Sequence, residues 1–567
     1  MEKDKKEGIL RRLMKDEIFV LVLIILAAFL VRNEFLVIKT GIRSDTAEFI
    51  VSGQNLVMGN GYTSITGYPD TAFPPMYPAM IGATWLVVGD GILAGRILSI
   101  IFGSLLVVPI YLLTRKLYNR RTGYMAAAFI AFYFSLIYGS VTAMPEIVFT
   151  TLSVSGIFIG LKALEEKKPL YYFLSGIVLS IAYLTRLEGF GYIMVLTLLT
   201  VVFWLLGKNT LKNTRTVVVS LVSLAIGFLL VASPYITFLY QETGNLQIGS
   251  KNAFFILGTE QNYLGRRPTD SNITNGTATV LDIYRGRIGR ETDVMSFIAN
   301  NPGRIANAWV SNTWHMVAQR LPHKFPVWLF AIAGLGLFAA SWDQKRFRRE
   351  IYMILVVLYG IVSYGFFVTS ARSAMLTISL LIIWLAKGTD VLNGWFEKTL
   401  PRIKTGKLEG IKAFIMGSET LKKLPFIIVM LSIIPLLILP LGWENPEADA
   451  VFWETGDWIK NNVPNDARIL VREFEIAYYA DMRFVISMPY GNSSQIIEYA
   501  RYHKADYIVA DWLMTAEKDF PLATGMFDPE SMPPDIELVY DNGNEEMRML
   551  IYKVNSNQSQ NTATAGL

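Results

Sequence analysis

Apolar residues in this chain come in long blocks rather than in alternation. Segments 17–38, 91–113, 122–141, 146–164, 170–186, 189–206, 216–238, 326–342, 351–369, 374–391 and 424–442 are almost continuously apolar. Each approaches the roughly 20 residues a helix needs to cross a hydrocarbon core of about 30 Å. The pattern therefore predicts about eleven transmembrane helices. Segment 76–89 is also apolar but shorter. The first block follows a basic N-terminus, is too long for a signal-peptide core and lacks a small-residue cleavage site. It reads as a retained first span.

Basic residues settle the sidedness of this pattern. They cluster at Arg115, Lys116, Arg120 and Arg121; at Lys162, Lys167 and Lys168; at Lys208, Lys212 and Arg215; at Lys345, Arg346, Arg348 and Arg349; and from Lys398 to Lys423. If 76–89 stays on the outer surface, every cluster falls on the side of the basic N-terminus, as the positive-inside rule requires. If it crosses, all five move outside. The expected organisation is a cytoplasmic N-terminus (1–16) and a transmembrane domain (17–442) with outer loops 39–90 and 239–325. An extracytoplasmic α/β domain (443–556) and a disordered polar end (557–567) follow.

The α/β assignment rests on local pattern. Trp453–Asn462 is helix-like, 467–471 and 505–510 are strand-like, and a helix capped by Ser493 and Ser494 runs to Lys504. Leu538 to Tyr540, Asp541 to Asn544 and Met547 to Lys553 form a hairpin. Sequons begin at Asn272, Asn275, Asn492 and Asn557, all on the predicted outer side.

Composition agrees with the blocks. Of the 567 residues, 52% are hydrophobic and 17% charged, against about 25% charged in soluble proteins. Mean hydropathy is +0.37. A net charge of +5 gathered in short loops fits membrane topology and not nucleic-acid binding. Cysteine is absent, which excludes disulfides and thiolate metal sites.

Candidate chemistry collects at the predicted outer face. Asp45 and Glu48 stand three apart just after the first span and would share one face of a helix. Glu146 opens the fourth span. Arg186 and Glu188 close the fifth, Arg372 lies in the turn between the ninth and tenth, and Arg96 is early in the second. A carboxylate can serve as general base and arginines can hold phosphate oxygens, which together suit transfer from a membrane-borne phosphate ester. The plainer roles are helix capping for the acids and helix-end anchoring for the arginines. His315, His323 and His503 lack ligand-like spacing, although a divalent metal at Glu48 stays open as an alternative. No Walker A, Rossmann or Ser-His-Asp pattern occurs in a suitable context.

Several stretches, in this order, carry a family resemblance. They are AEFIVSGQNLVMGNGY (47–62), FPPMYPAM (73–80), GILAGRILSI (91–100), TAMPEIVFT (142–150) and LTRLEGFG (184–191). Together with an acid after the first span, they resemble the dolichyl-phosphate-mannose protein mannosyltransferases and aminoarabinose transferases of the GT-C fold. The resemblance implies an inverting transfer of one sugar from a polyprenyl (dolichyl or undecaprenyl) phosphate donor, on the extracytoplasmic side, to a glycan, lipid or protein acceptor.

By the same resemblance Asp45 is the base and Glu146 the second acid, with Glu48 in a related catalytic role. The resemblance also makes Arg372 a contact to donor phosphate; independently of it, Arg186 and Arg96 are expected to join Arg372 there, and Tyr62, Tyr77 and Glu188 to contact substrate. Thr46 stands where many relatives have a second acid, and Phe73 where aminoarabinose transferases have lysine. The tail lacks the Trp-Trp-Asp motif of oligosaccharyltransferases, which disfavours transfer of a whole oligosaccharide. The alternative is a polytopic transporter or flippase, which would spread charged residues through mid-membrane.

Overall fold

The apolar blocks become helices wherever a computed structural model describes them. It describes residues 16–37, 41–42, 44–206, 210–249, 299–363, 365, 374–402, 414–418, 420–433, 446–489, 492–516 and 523–555. Each of the eleven predicted spans overlaps a helix. Among the described residues, Gly91–Leu117, Glu146–Glu166, Thr214–Thr243 and Met375–Arg402 are long and apolar enough to cross singly. Two bent pairs bring the number to six. Arg372, most of the 239–325 loop, the sequons at 272 and 275, and the end from 556 lie outside the described residues.

One bent pair explains a residue that the pattern of blocks had hidden. Arg120–Phe132 and Phe134–Val141 meet at 51°, with Tyr133 extended between them. An extended residue breaks the backbone ladder and frees carbonyls of the preceding turn. Arg32, fully buried near the end of Glu17–Glu34, supplies the missing donors. Nη1 donates to Ala131 O at 3.0 Å and Nη2 to Ile130 O at 3.2 Å. Nε donates to Ser140 Oγ at 3.0 Å. Arg32 is thus a buried charge within the first span, and it serves the bend.

Residues 44–88 fold as a helical hairpin. Ser44–Val57 and Met76–Val88 pack so closely that a Cβ at Gly53 would lie 2.2 Å from Pro78 O, and one at Gly82 would lie 2.2 Å from Gly53 O. Met76–Val88 has 13 residues, about 20 Å of helix, too short to cross about 30 Å of hydrocarbon unaided. Phe49 meets Tyr77 edge-on at 5.4 Å between ring centroids.

The tail is a mixed five-stranded sheet in the order β2-β1-β3-β5-β4. The strands are β1 (Arg468–Val471), β2 (Phe484–Ser487), β3 (Tyr507–Asp511), β4 (Ile536–Asp541) and β5 (Met549–Val554). β1 runs parallel to β2 and β3, while β5 is antiparallel to β3 and β4. Side chains alternate between two cores, as strand geometry requires. Leu470, Ile508, Leu550 and Tyr552 face the Ser493–Tyr502 helix. That helix is capped by Asn492, whose side chain accepts from Gln495 N at 2.9 Å, and not by the serines as expected.

Ile469, Val471, Val509, Met549 and Ile551 face the other way. There they pack with Phe452, Ile459 and Phe474, and also with Ile42, Ala47 and Ile65 of the first loop. The tail and the first loop thus share one apolar core. This shared core fixes the loop's candidate acids against the tail.

Candidate active site

Asp45 sits in the first turn of Ser44–Val57, half-buried where three parts of the chain meet. On one side is the tail. Ser44 Oγ donates to Glu473 Oε2 at 2.8 Å and accepts from Phe474 N at 3.0 Å. It is also in hydrogen-bond contact with Glu475. A hydroxyl carries one proton and two lone pairs. All three contacts are served together when Glu475 is protonated and donates to Ser44. The environment favours that state. Burial pushes the Glu475 carboxyl up to about 8, the charges of Glu473 and Asp511 push the same way, and the Ser44 contact opposes them. Arg472 bonds Glu473 at 2.8 Å and lies 3.7 Å from buried Asp511. Sequence reasoning missed this tail cluster, because Glu473 and Glu475 look like ordinary surface acids until the docking is known.

On a second side is the loop that follows the helix. Glu48 is buried, and its Oε2 accepts from Ile65 N at 2.8 Å. Asp70, fully buried, accepts from Ser52 Oγ at 2.8 Å, Ala72 N at 3.1 Å and Phe73 N at 3.3 Å. Tyr62 donates to Phe73 O at 3.0 Å and packs on Phe238. Glu48 and Ser52, one turn apart on the helix, thus strap residues 61–73 to it, Glu48 through Ile65 N and Ser52 through the Asp70 carboxylate. Glu48 is thus engaged with the backbone of the loop that follows its helix. Asp70 was missed because it lies among turn residues, with no apolar periodicity to mark it as buried. Tyr77 has 0% exposure and belongs to the core. The expectation that it contacts substrate is corrected on that ground: no surface of the ring is left for a ligand.

On the third side is the turn before Glu146. Thr46 Oγ1 contacts Met144 Sδ at 3.2 Å, which brings the residue beside Asp45 to the 142–146 turn. Glu146 begins Glu146–Glu166, Arg186 follows the last residue of Pro169–Thr185, and Glu188 precedes Gly189–Leu205. One guanidinium ties these three helix ends together. Nη1 bonds Glu146 Oε1 at 2.8 Å and Nη2 bonds Glu188 Oε1 at 2.9 Å. The side chains are only 16%, 7% and 10% exposed, in the order Arg186, Glu146, Glu188. Tyr359 donates to Glu188 O at 2.8 Å and adds a fourth helix.

Glu146, Arg186 and Glu188 thus form one cluster with a formal charge of −1. Arg186 presents both terminal nitrogens to carboxylates. A phosphate reaching it must compete with Glu146 or Glu188. Arg96, on the Gly91–Leu105 helix, is an electrostatic neighbour of Tyr479 in the tail. Among the described residues, no three His, Asp or Glu side chains group as metal ligands.

Comparisons with known proteins bear on this arrangement. Residues 72–238 match the family model described as dolichyl-phosphate-mannose-protein mannosyltransferase. No curated protein sequence matches the chain. Solved structures match over most of its length. The apo oligosaccharyltransferase of Archaeoglobus fulgidus superposes with a TM-score of 0.58 at 14% identity, covering 89% of this chain and 72% of that one. Archaeal AglB from the same organism, in complex with an inhibitory peptide and a dolichol-phosphate, gives 0.56 at 14% identity, over 96% and 74%. ArnT from Cupriavidus metallidurans, bound to undecaprenyl phosphate, gives 0.53 at 11% identity, over 94% and 98%. The shared architecture is the GT-C fold.

Proposed function

We propose that this chain, which has the GT-C fold and matches the dolichyl-phosphate-mannose-protein mannosyltransferase family model over residues 72–238, is a membrane glycosyltransferase using a polyprenyl-phosphate-linked sugar. The observation that carries this reading is the seating of Asp45. The Ser44–Glu473, Glu48–Ile65 and Thr46–Met144 contacts hold the helix turn that carries Asp45 against the 142–146 turn, at whose end Glu146 meets Arg186, itself bonded to Glu188. A general base must be held in fixed geometry to act.

The reaction is a direct displacement. Asp45 takes the proton of an acceptor hydroxyl as its oxygen attacks the anomeric carbon. The bond from that carbon to the phosphate oxygen breaks, and lipid phosphate leaves with the electron pair. The configuration at carbon inverts. Glu146 and Glu188, already bound to Arg186, orient the sugar hydroxyls. Arg96 and Arg372 are the proposed contacts to leaving phosphate, where positive charge stabilises the developing anion.

Two observations support single-sugar transfer. The chain covers 98% of ArnT but 72% of the oligosaccharyltransferase, and the tail has no Trp-Trp-Asp sequence. The dolichol-phosphate bound to archaeal AglB and the undecaprenyl phosphate bound to ArnT, both similar in fold, support a lipid-phosphate donor. Arg32, a buried charge within a span, is committed to backbone carbonyls of the bend, which argues against its serving a transport path. The test is incubation of purified protein with a panel of dolichyl- and undecaprenyl-phosphate sugars and candidate acceptors, following release of lipid phosphate. Turnover with one donor supports the reading, and no turnover with any donor overturns it.

A further inference from the structure

A cavity of about 490 Å³ opens at the other end of the helical domain. It is lined from Glu146–Glu166, Pro169–Thr185, Gly189–Leu205, Thr210–Thr243 and Gln344–Ser363. Leu161 and Glu166 lie on the helix that Glu146 begins, so the cavity is roughly 20–30 Å along that helix from the candidate site. Basic clusters gather at this end, which places it on the cytoplasmic side by the positive-inside rule.

Two kinds of wall meet in the cavity. One is apolar, with Leu164, Phe203, Trp204 and Val217, and the adjoining surface is apolar as well. Leu205 is 60% exposed and Leu206 78%. The other is cationic, with Lys345, Arg348 and Arg349. The acids beside it are already neutralised. Glu165 bonds Lys116 at 2.8 Å and Arg349 at 2.5 Å, and Glu166 bonds Lys168 at 3.1 Å. Lys345 and Arg348 have no carboxylate partner among the described residues. The Arg348 guanidinium carbon stands 5.6 Å from the centroid of the Phe203 ring, at the seam of the two walls.

We propose that this cavity seats the headgroup of an anionic phospholipid, with Lys345 and Arg348 on the phosphate and the acyl chains along Phe203 and Val217. Cationic pockets between helices at the cytoplasmic boundary suit anionic headgroups, and an arginine fork matches phosphate oxygens. The apolar flank is what selects a lipid over a soluble phosphate. The site is independent of the transfer reaction, since it lies at the opposite end of the helices and uses none of its residues.

The experiment is native mass spectrometry and thermal melting of the full-length protein in detergent, with added phosphatidylglycerol, phosphatidylcholine or inorganic phosphate. Phosphatidylglycerol is expected to stay bound and raise the melting temperature, and the other two are not. The paired change Lys345→Gln with Arg348→Gln weakens retention about tenfold or more. Thr216→Trp, which narrows the cavity without altering charge, abolishes it and covers the case in which the paired variant fails to fold. Removing the exposed charges Lys398 and Arg402 leaves retention unchanged. Undiminished retention in Thr216→Trp overturns the proposal, as does equal loss in the Lys398 and Arg402 control. Equal stabilisation by inorganic phosphate also overturns it, showing a small-anion site.

Discussion

Ser44 donates a hydrogen bond to Glu473 of the tail at 2.8 Å, one residue before Asp45. The tail therefore holds the first turn of the helix that carries the proposed base. Docking here depends on pH through Glu475. Its carboxyl is held at about 8 against an ordinary value of 4.5. A raised folded-state value means the stabilisation is complete below about 4.5 and is lost as pH rises through about 8. Amide exchange in Ser44–Val57 is expected to quicken across that window, and Glu475→Gln to flatten the dependence. A pH-independent exchange rate in the native chain would argue against a protonated Glu475.

Arg186 is the shared partner of Glu146 and Glu188. Removing one member of a buried ion group leaves uncompensated charge, at a cost of about 3–5 kcal/mol. Arg186→Ala is expected to lower thermal stability by that order, and Arg186→Lys to recover only part of it, because lysine cannot bridge both carboxylates as a planar fork. Melting of the purified variants in one detergent checks both. Equal stability of the alanine variant and the native protein would mean the carboxylates find other partners.

The Glu48 and Asp70 straps predict a local effect. Asp70→Ala leaves Ser52 Oγ, Ala72 N and Phe73 N without their acceptor, and each orphaned buried donor costs about 1–3 kcal/mol. Limited proteolysis should then cut within 59–73 while the tail stays intact. Cleavage that begins in the tail instead would show that the strap supports the docking rather than the loop.

Arg32 answers the bend at Tyr133. Arg32→Ala removes the donors to Ile130 O, Ala131 O and Ser140 Oγ. Exposing these acceptors in an apolar interior costs about 1–3 kcal/mol each, so the variant should express poorly and melt early. Arg32→Lys, with three donors on one nitrogen, should be intermediate in the same melting assay.

The contrast between Arg186 and Arg32 shows what was readable in advance. Arg186 and Glu188 flank a gap between two apolar blocks, so pattern alone places them at helix ends on one face. Arg32 lies inside a block, and its role depends on a bend contributed by residues about a hundred positions away. The Trp453–Asn462 helix and the 538–553 hairpin follow from local periodicity and turn residues. The sharing of Ile42, Ala47 and Ile65 with the tail core is a long-range packing fact, and so Glu473 and Glu475 could not be picked out as neighbours of Asp45.

Asp45 itself bears the weight of the functional reading. The most direct measurement is the initial rate of lipid-phosphate release by Asp45→Asn beside the native protein, with the donor found active and with melting temperature as the control for folding. The asparagine keeps the shape but cannot accept the acceptor's proton, so release should fall by about 100- to 10,000-fold while melting stays unchanged. A folded Asp45→Asn variant that releases lipid phosphate at the native rate would contradict the assignment.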